Sequence, residues 1–548
     1  MRRFAIAFAL ICIVLFAVQC TTGENGPDAS PVPAGSDGDE TQAEQEPPFE
    51  PLFPRSPPPG LLRVYDAAED SVELKNLLVS LQGIVNRTEP RIFLLSSAER
   101  WPDPWEKEGF WLEQARSDFG LSTVEVDDPW ELLDEFAGEV AGAVVTDPEQ
   151  VHTNNVATVF AGIHDAILVD PSLLPQVEQR GLPVIEDLRG RFESNEQMYR
   201  WAFETLWPDC DQSVLAFHNA QIPSLRDYLI AHRIFTFQPD MHRPGERALL
   251  EEVLTAAPDH VPVLGWVIDE LMGVMILSRH AKFHVASDNS PNLSVYSGLE
   301  MSSPGYDDPP QVPEPQNAIY VGFAYTDADN LAYIQRSMVE QWQDPARGAV
   351  PLGWSFNAAA RDLAPHLVSY FHRTRSPMDV FIGPASGIGY MYPNLYPDLD
   401  GFLEITAPYY RWSGFDTAWI INDDLTLPDQ VAVKYARALD LQGIFVDYWP
   451  NGDRKFHFAS DGTPVLRSWY VYLLGPEQIP GLLADAATAK EQLYPDAPLF
   501  VLIGVNAWVT PPSLVLEIAE GLDSRFRVVR PDLMFGLMRR SRELGWIE

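Results

Sequence analysis

The residues with the most chemical content lie between 381 and 397, in the run FIGPASGIGYMYPNLYP. Within it, Gly387-Ile388-Gly389-Tyr390-Met391-Tyr392-Pro393 follows an apolar, strand-like segment. Gly387 and Gly389 allow a sharp turn or close backbone approach to a ligand. Tyr390 and Tyr392, at i and i+2 of an extended chain, would point to one side, as a flat, partly polar shelf for a sugar ring. Phosphate binding is the weaker reading. A glycine loop that cradles phosphate must open a helix, and Pro393 and Pro397 oppose one there.

Acids, amides and aromatics recur at the ends of other apolar segments. Tyr325-Thr326-Asp327-Ala328-Asp329-Asn330, Trp354-Ser355-Phe356-Asn357, Asn422-Asp423-Asp424, Asp447-Tyr448-Trp449 and Asn506-Ala507-Trp508 each follow such a run. Glycoside cleavage needs one protonated carboxyl group and one ionised carboxylate. Asp327, Asp329, Asp447 and Asp424 are the candidates, and Asp327 and Asp329 share a face if their segment stays extended, where mutual repulsion would raise one pKa. Tyr390, Tyr392, Trp354, Asn357, Asn330, Trp449, Asn422 and Asp423 are the candidate sugar contacts. Capping is the competing role: Asp329 is well placed to cap the helix that follows, and Asp424 to cap the next turn. Asp269-Glu270, with Gly265-Trp266 before it, could face the same rim, although a core tryptophan and a solvated helix start are the preferred reading there. His366 and His372 are six apart and share no helix face, which disfavours a transition-metal site; no cofactor is expected, with Ca²⁺ or Mg²⁺ at the acidic rim as the exception. No GxSxG elbow surrounds Ser355 or Ser386, and Cys210 reads as a structural thiol.

These residues need a scaffold that brings strand ends together. Apolar strands alternate with helices at 318–326, 349–357, 378–386, 417–423, 443–449, 464–473, 499–505 and 526–531. That rhythm implies a parallel sheet buried on both faces, and a compact (β/α) barrel, seven-stranded in one reading, collects its strand ends at one rim. An open doubly wound sheet is the alternative. Residues 60–301 alternate helix and strand as two or three α/β subdomains, with a helix over 70–86 and strands at 91–95, 122–126, 142–147, 166–170, 213–218, 261–267 and 282–287. A proline-rich linker, 302–316, separates this region from the C-terminal domain, 317–548.

The chain has 548 residues, enough for several domains, and a net charge of −40, which opposes nucleic-acid binding. Arg2 and Arg3 precede a short apolar run, as in a signal peptide over 1–20. Ala17-Val18-Gln19-Cys20 resembles a lipobox, with Gln19 replacing the usual small residue, so lipidation of Cys20 is expected and an ordinary cleaved signal is the alternative. Residues 21–59 are acidic and proline-rich and read as a disordered tether. The expected location is secreted or at the cell surface, anchored to a bacterial membrane only through that lipid.

The motif at 387–393 resembles, letter for letter, the signature of the GxGYxYP family of glycoside hydrolases. Leu81-Gln82-Gly83-Ile84-Val85-Asn86-Arg87 with Pro90-Arg91-Ile92, Asn292-Leu293-Ser294-Val295 and Thr326-Asp327-Ala328-Asp329-Asn330 are similar to further segments of that family, Ala328 replacing a glycine. The resemblance covers nearly everything from residue 60 onward. It implies a secreted or surface bacterial protein with α/β N-terminal domains and a barrel-like C-terminal domain, and brings no settled catalytic pair. The expected function is hydrolysis of an extracellular glycan by carboxylate acid/base chemistry, with a carbohydrate as partner. A non-catalytic surface glycan-binding lipoprotein and a metal-dependent polysaccharide deacetylase are the alternatives.

Overall fold

The structure is a computed structural model that describes residues 50–96, 107–304, 311–424, 426–446, 456–469 and 475–548. Asp447, Trp449 and Cys20 lie outside the described residues, as does most of the expected tether.

Three small parallel sheets fill the N-terminal half. The first joins β1 (Leu61–Asp66), β2 (Ile92–Leu95) and β3 (Ser122–Val126) in the order β2-β1-β3. The second joins β4 (Gly142–Val145), β5 (Ala166–Val169) and β6 (Val184–Asp187) in the order β5-β4-β6. The third joins β7 (Asp211–Phe217), β8 (Ile234–Phe237), β9 (Pro262–Gly265) and β10 (Phe283–Ala286) in the order β10-β9-β7-β8. Of these ten strands, β1, β6 and β8 were not expected from the sequence. For β6 the reason is physical: three of its four side chains are exposed, so it carries no apolar pattern to read.

The helix Val72–Asn86 ties the three sheets together. Its start is capped by the Ser71 hydroxyl, which accepts from Leu74 N–H at 3.3 Å. Its buried amides then bond across the fold. Gln82 Nε2 donates to Asn292 Oδ1 at 2.7 Å and Asn86 Nδ2 to Ser294 Oγ at 2.9 Å. Arg87, just beyond, donates to the Gly162 carbonyl at 2.7 Å and to the Ile230 carbonyl at 3.1 Å, and pairs with Asp165. A side chain at Gly83 would meet the Asp227 carbonyl at 2.7 Å, so this helix can approach its neighbour only through a glycine. The segments around 81–92 and 292–295 therefore join sheets rather than bind ligand.

The C-terminal half is one curled, mostly parallel sheet with helices between its strands, so the whole is a mixed α/β fold. Its strands are β11 (Ile319–Tyr325), β12 (Leu352–Ser355), β13 (Asp379–Ala385), β14 (Thr417–Ile420), β15 (Gly443–Val446), β16 (Phe456–Phe458), β17 (Pro464–Arg467), β18 (Leu499–Val505) and β19 (Phe526–Val528). The order is β16-β17-β15-β14-β13-β12-β11-β18, with β19 on the first half of β11 and only β16 antiparallel. Strands β11, β12, β14, β15 and β18 are buried along their whole length, which is why they read as unbroken apolar runs. Just past β17, Ser468 forms an isolated parallel bridge to Leu502 of β18. None of the helices of the described residues is long and apolar enough to cross a membrane.

One expectation needs correction. Residues 50–59 are no part of a loose tether. Phe53 is buried, Leu52 N–H donates to the Tyr409 hydroxyl at 2.7 Å, and the Tyr228 hydroxyl donates to the Pro54 carbonyl at 2.6 Å. This strap touches both halves of the fold. Its composition misled because one phenylalanine and a row of backbone groups, not an apolar run, hold it down. Phe53→Ala is expected to lower the urea midpoint, with a loss of about 3 kcal/mol; an unchanged midpoint would show that the strap bears no load.

Candidate functional site

The C-terminal strand ends of the curled sheet meet the ends of β9 and β10. The first half of the signature explains how. After β13 the backbone turns through Ser386 (φ 61°) and Gly387 (φ 133°), where a Cβ on Gly387 would sit 2.8 Å from the Phe402 ring. Tyr390 then pairs with His284 on the open edge of β10: His284 N–H donates to the Tyr390 carbonyl at 2.9 Å and Tyr390 N–H to the His284 carbonyl at 2.7 Å. Gly389 lies so close to that edge that a Cβ would collide with the Phe283 ring and stand 2.8 Å from the His284 carbonyl. The glycines thus serve a backbone-to-backbone contact within the protein.

The tyrosines are not an open shelf. Tyr390 and Tyr392 are 7% and 2% exposed, and their rings meet edge to face at 5.7 Å. The Tyr390 hydroxyl lies 3.4 Å from the Tyr392 hydroxyl; burial raises both, and so does the charge of Glu270, which opens the helix Glu270–Arg279 after β9. Asp269 caps that helix, accepting from Met272 N–H at 3.1 Å, and Glu270 beside it is half-buried.

Opposite stands Asp327, at the end of β11. The Trp508 indole N–H and the Thr326 hydroxyl donate to its two oxygens. Its surroundings are protein on most sides, and burial, together with the charge of Glu270, pushes its pKa up to about 6. Burial also raises Glu270, and the Tyr390 hydroxyl only partly offsets this. The donors here are neutral. A lysine or arginine in their place would hold both acids ionised, whereas neutral donors leave a proton available near neutral pH. Glu270 was passed over as a solvated helix start. The only signal for it was its position just past an apolar strand, which says nothing about the side chain of another domain that it meets.

The remaining expected site residues separate into groups. Burial raises the hydroxyls of Tyr390 and Tyr392, and the charges of Asp329 at the first and Asp423 at the second add to it, so both acids belong to this acidic surround. Asn330, not Asp329, caps the helix after β11, its Oδ1 accepting from Ala332 and Tyr333 N–H at 2.9 and 3.2 Å. Trp354 is 0% exposed, stacked on Tyr325 at 4.4 Å with its indole N–H on Asp379; it is core, not a platform. Asn357 is buried and donates to the Asp329 carbonyl, which shapes the acidic loop from behind. Asn422 is likewise buried, bracing Asn394 N–H and the Thr426 carbonyl. Asp424 is exposed and holds Thr426 N–H and hydroxyl, which keep its pKa low; such a carboxylate cannot store a proton. Among the described residues, Trp508 is an aromatic that does stand open at the rim, 37% exposed.

Neither histidine approaches the acids as a ligand. His366 is buried and stacks on Tyr296 at 3.6 Å, and His372 packs on Phe381 at 4.5 Å. Among the described residues no group of three or more His, Cys, Asp or Glu is arranged to hold a metal ion, so the donor set of a metal-dependent deacetylase is not assembled there. Cys210 donates to the Leu206 carbonyl at 3.3 Å, and burial pushes its thiol up to about 12, as suits an inert thiol.

Two outcomes follow from this geometry. Gly389→Ala forces a Cβ into the β10 edge, and a loss of about 2–4 kcal/mol is expected by denaturant titration, because backbone on both sides cannot yield; a neutral effect would deny the contact. Asp327 holds a proton in the folded state up to about pH 6, where the unfolded chain releases it near 3.8. Raising the pH through that window therefore costs stability. Asp327→Asn should melt higher than the parent at pH 8, by on the order of 1–3 kcal/mol, and together with it at pH 4. A parent that is the more stable at pH 8 would contradict the raised pKa.

Comparison with known proteins fits this architecture. Residues 62–138, 140–211 and 213–298 match the first, second and third N-terminal domains of the GxGYxYP family. Residues 317–539 match its "GxGYxYP putative glycoside hydrolase C-terminal domain". A crystal structure described as a putative hydrolase from Bacteroides thetaiotaomicron VPI-5482 superimposes with a TM-score of 0.77 at 22% identity, covering 90% of this chain and 98% of that one. It has the same fold. A Puue allantoinase structure aligns with 45% of this chain and 99% of its own at 14% identity, with a TM-score of 0.30, too low to bear on the fold. No curated protein matches. By its four consecutive domain matches, this chain belongs to the GxGYxYP family of putative glycoside hydrolases.

Proposed function

We propose that this protein hydrolyses glycosidic bonds of an extracellular glycan, with Asp327 and Glu270 as its two working carboxyl groups. The observation that carries this is the pair itself. Two acids from different halves of the chain are each raised by burial, the charge of Glu270 reaches Asp327, and the donors to Asp327 are neutral. Asp327, pushed up to about 6, suits the general acid that protonates the departing glycosidic oxygen. Glu270 is the carboxylate that attacks the anomeric carbon or activates water, and the anomeric configuration of the product tells these apart. Trp508 combines an exposed ring for a sugar face with an indole N–H that orients Asp327. Asp329 and Asp423 supply acceptors for sugar hydroxyls. The curled sheet is proposed to close as a seven-stranded ring, β11-β12-β13-β14-β15-β17-β18, through the bridge from Ser468 to Leu502, which would gather these strand ends on one rim. Action outside the cell rests on the signal-like residues before Cys20.

A screen of aryl glycosides and polysaccharides tests the reading. Asp327→Asn and Glu270→Gln are each expected to lower kcat by about a thousandfold or more on any substrate the parent cleaves. The parent's kcat/KM should fall as the pH rises past about 6, the value to which Asp327 is pushed. The assignment is wrong if both variants keep the parental rate.

A further inference from the structure

Three of the most exposed apolar side chains of the described residues flank the acid pair. Leu271 is 72% exposed and Ile268 65%, and between them lie Asp269 and Glu270. Val509, 56% exposed, follows Trp508, whose indole N–H donates to Asp327. These side chains come from both halves of the chain, as the two acids do. Packing within the protein does not explain them. A residue just before a helix cap often packs on the fourth helical residue, which would suit Ile268, before the cap Asp269. That fourth residue is Gly273, and Val267 already fills the space over it, since a Cβ on Gly273 would collide with Val267. Ile268 is left in water.

Leu271 belongs to a longer apolar row. It lies one turn before Met275 on the helix Glu270–Arg279, so the two share a face. Met275, Leu395 and Ile421 are partly buried against the cluster of Tyr390 and Tyr392. The row therefore runs from the tyrosines outward to the turn that carries Glu270. Glu270, Asp329 and Asp423 act on those tyrosines with negative charge, which opposes an anionic occupant. Aliphatic side chains gathered in one place mark a surface that a partner covers, because water against them is unfavourable.

We propose that the glycan taken at this site is borne on an aliphatic chain, joined to the sugar through its anomeric oxygen, and that Leu271, Ile268 and Val509 hold that chain. The direction of the chain rests on the proposed hydrolysis. Asp327 gives its proton to the glycosidic oxygen, the bond from that oxygen to the anomeric carbon breaks, and the chain departs as an alcohol; water adds to the anomeric carbon and returns a proton to the carboxyl pair. The departing group is thus the one beside Asp327 and Trp508, next to Val509. Aliphatic side chains offer no donor or acceptor to a second sugar and match a neutral hydrocarbon.

Calorimetric titration of the full-length Asp327→Asn chain with octyl and methyl glycosides of glucose, galactose, mannose and N-acetylglucosamine, below micelle formation, tests it. For one or more of these sugars the octyl glycoside is expected to bind about tenfold or more tighter than the methyl glycoside. That ratio should fall about fivefold or more on adding Leu271→Ser or Ile268→Ser. It should hold with Leu493→Ser, a comparably exposed leucine that ends the helix Ile479–Leu493. No binding of any octyl glycoside, a ratio near one for every sugar, a ratio untouched by the first two variants, or octanol binding as tightly as the octyl glycoside would overturn the proposal. So would a parent that sediments as a dimer and comes apart on Leu271→Ser, since a second copy would then cover the patch. Hydrolysis by the parent is followed separately. Cleavage without the chain preference keeps the hydrolase and sinks this inference, whereas the chain preference without cleavage keeps the chain site and sinks the hydrolase.

Discussion

The pair of backbone hydrogen bonds between Tyr390 and His284 is the contact on which the rest of the site depends. It sews a loop of the curled sheet to the edge strand of the third N-terminal sheet. An edge strand offers unpaired N–H and C=O groups in a fixed row, and a loop that adds to it is positioned to within a fraction of an ångström. Only glycine lets the backbones come this close, as the collision of a Cβ at Gly389 with Phe283 shows. With that seam in place, Glu270 comes within electrostatic reach of Tyr390, Tyr392 and Asp327.

The electrostatics follow from the same seam. The chain carries 78 acidic residues against 38 basic ones, so surplus carboxylates are everywhere and most stay ionised in water. Asp424, exposed and satisfied by Thr426, is one of these. Asp327 differs because packing removes its water and supplies an indole and a hydroxyl in place of a cation. Burial disfavours charge more than two neutral hydrogen bonds restore it, and the result is an acid that keeps its proton towards neutrality. Enclosure, not abundance, separates a carboxyl that keeps its proton from one that stays ionised in water.

The N-terminal half works as a frame. Gln82 and Asn86 on one helix, with Arg87 just past its end, bind the three small sheets through amide and guanidinium hydrogen bonds, which are directional and so set relative orientation as well as cohesion. The strap at 50–59 closes over both halves. Glu270 and His284 both belong to this frame, which makes the N-terminal region part of the site.

Much of this was legible in the residues alone. The unbroken apolar runs of β11, β12, β14, β15 and β18 told of a parallel sheet covered on both faces, because burial leaves no polar alternation. The position of Asp327 at a strand end, and the glycines of the 387–393 motif, were equally plain, since strand ends, a φ > 0 turn as at Gly387 and a close backbone approach as at Gly389 leave local marks. Local chemistry could not tell that Trp354 faces Tyr325 and Asp379 in the core while Trp508 stands open, nor that Tyr390 and Tyr392 are shut in against each other. The same tryptophan or tyrosine is a platform or a core residue according to which neighbour covers it. Glu270 shows the limit most clearly: it lies 57 positions before Asp327, in a segment with an ordinary capped helix start. Residue pattern alone was enough for most of the strands, for the family and for Asp327 at a strand end. That the charge of Glu270 reaches Asp327, and that Trp508 stands open, came only with the packed fold, because proximity across domains and loss of water are properties of packing.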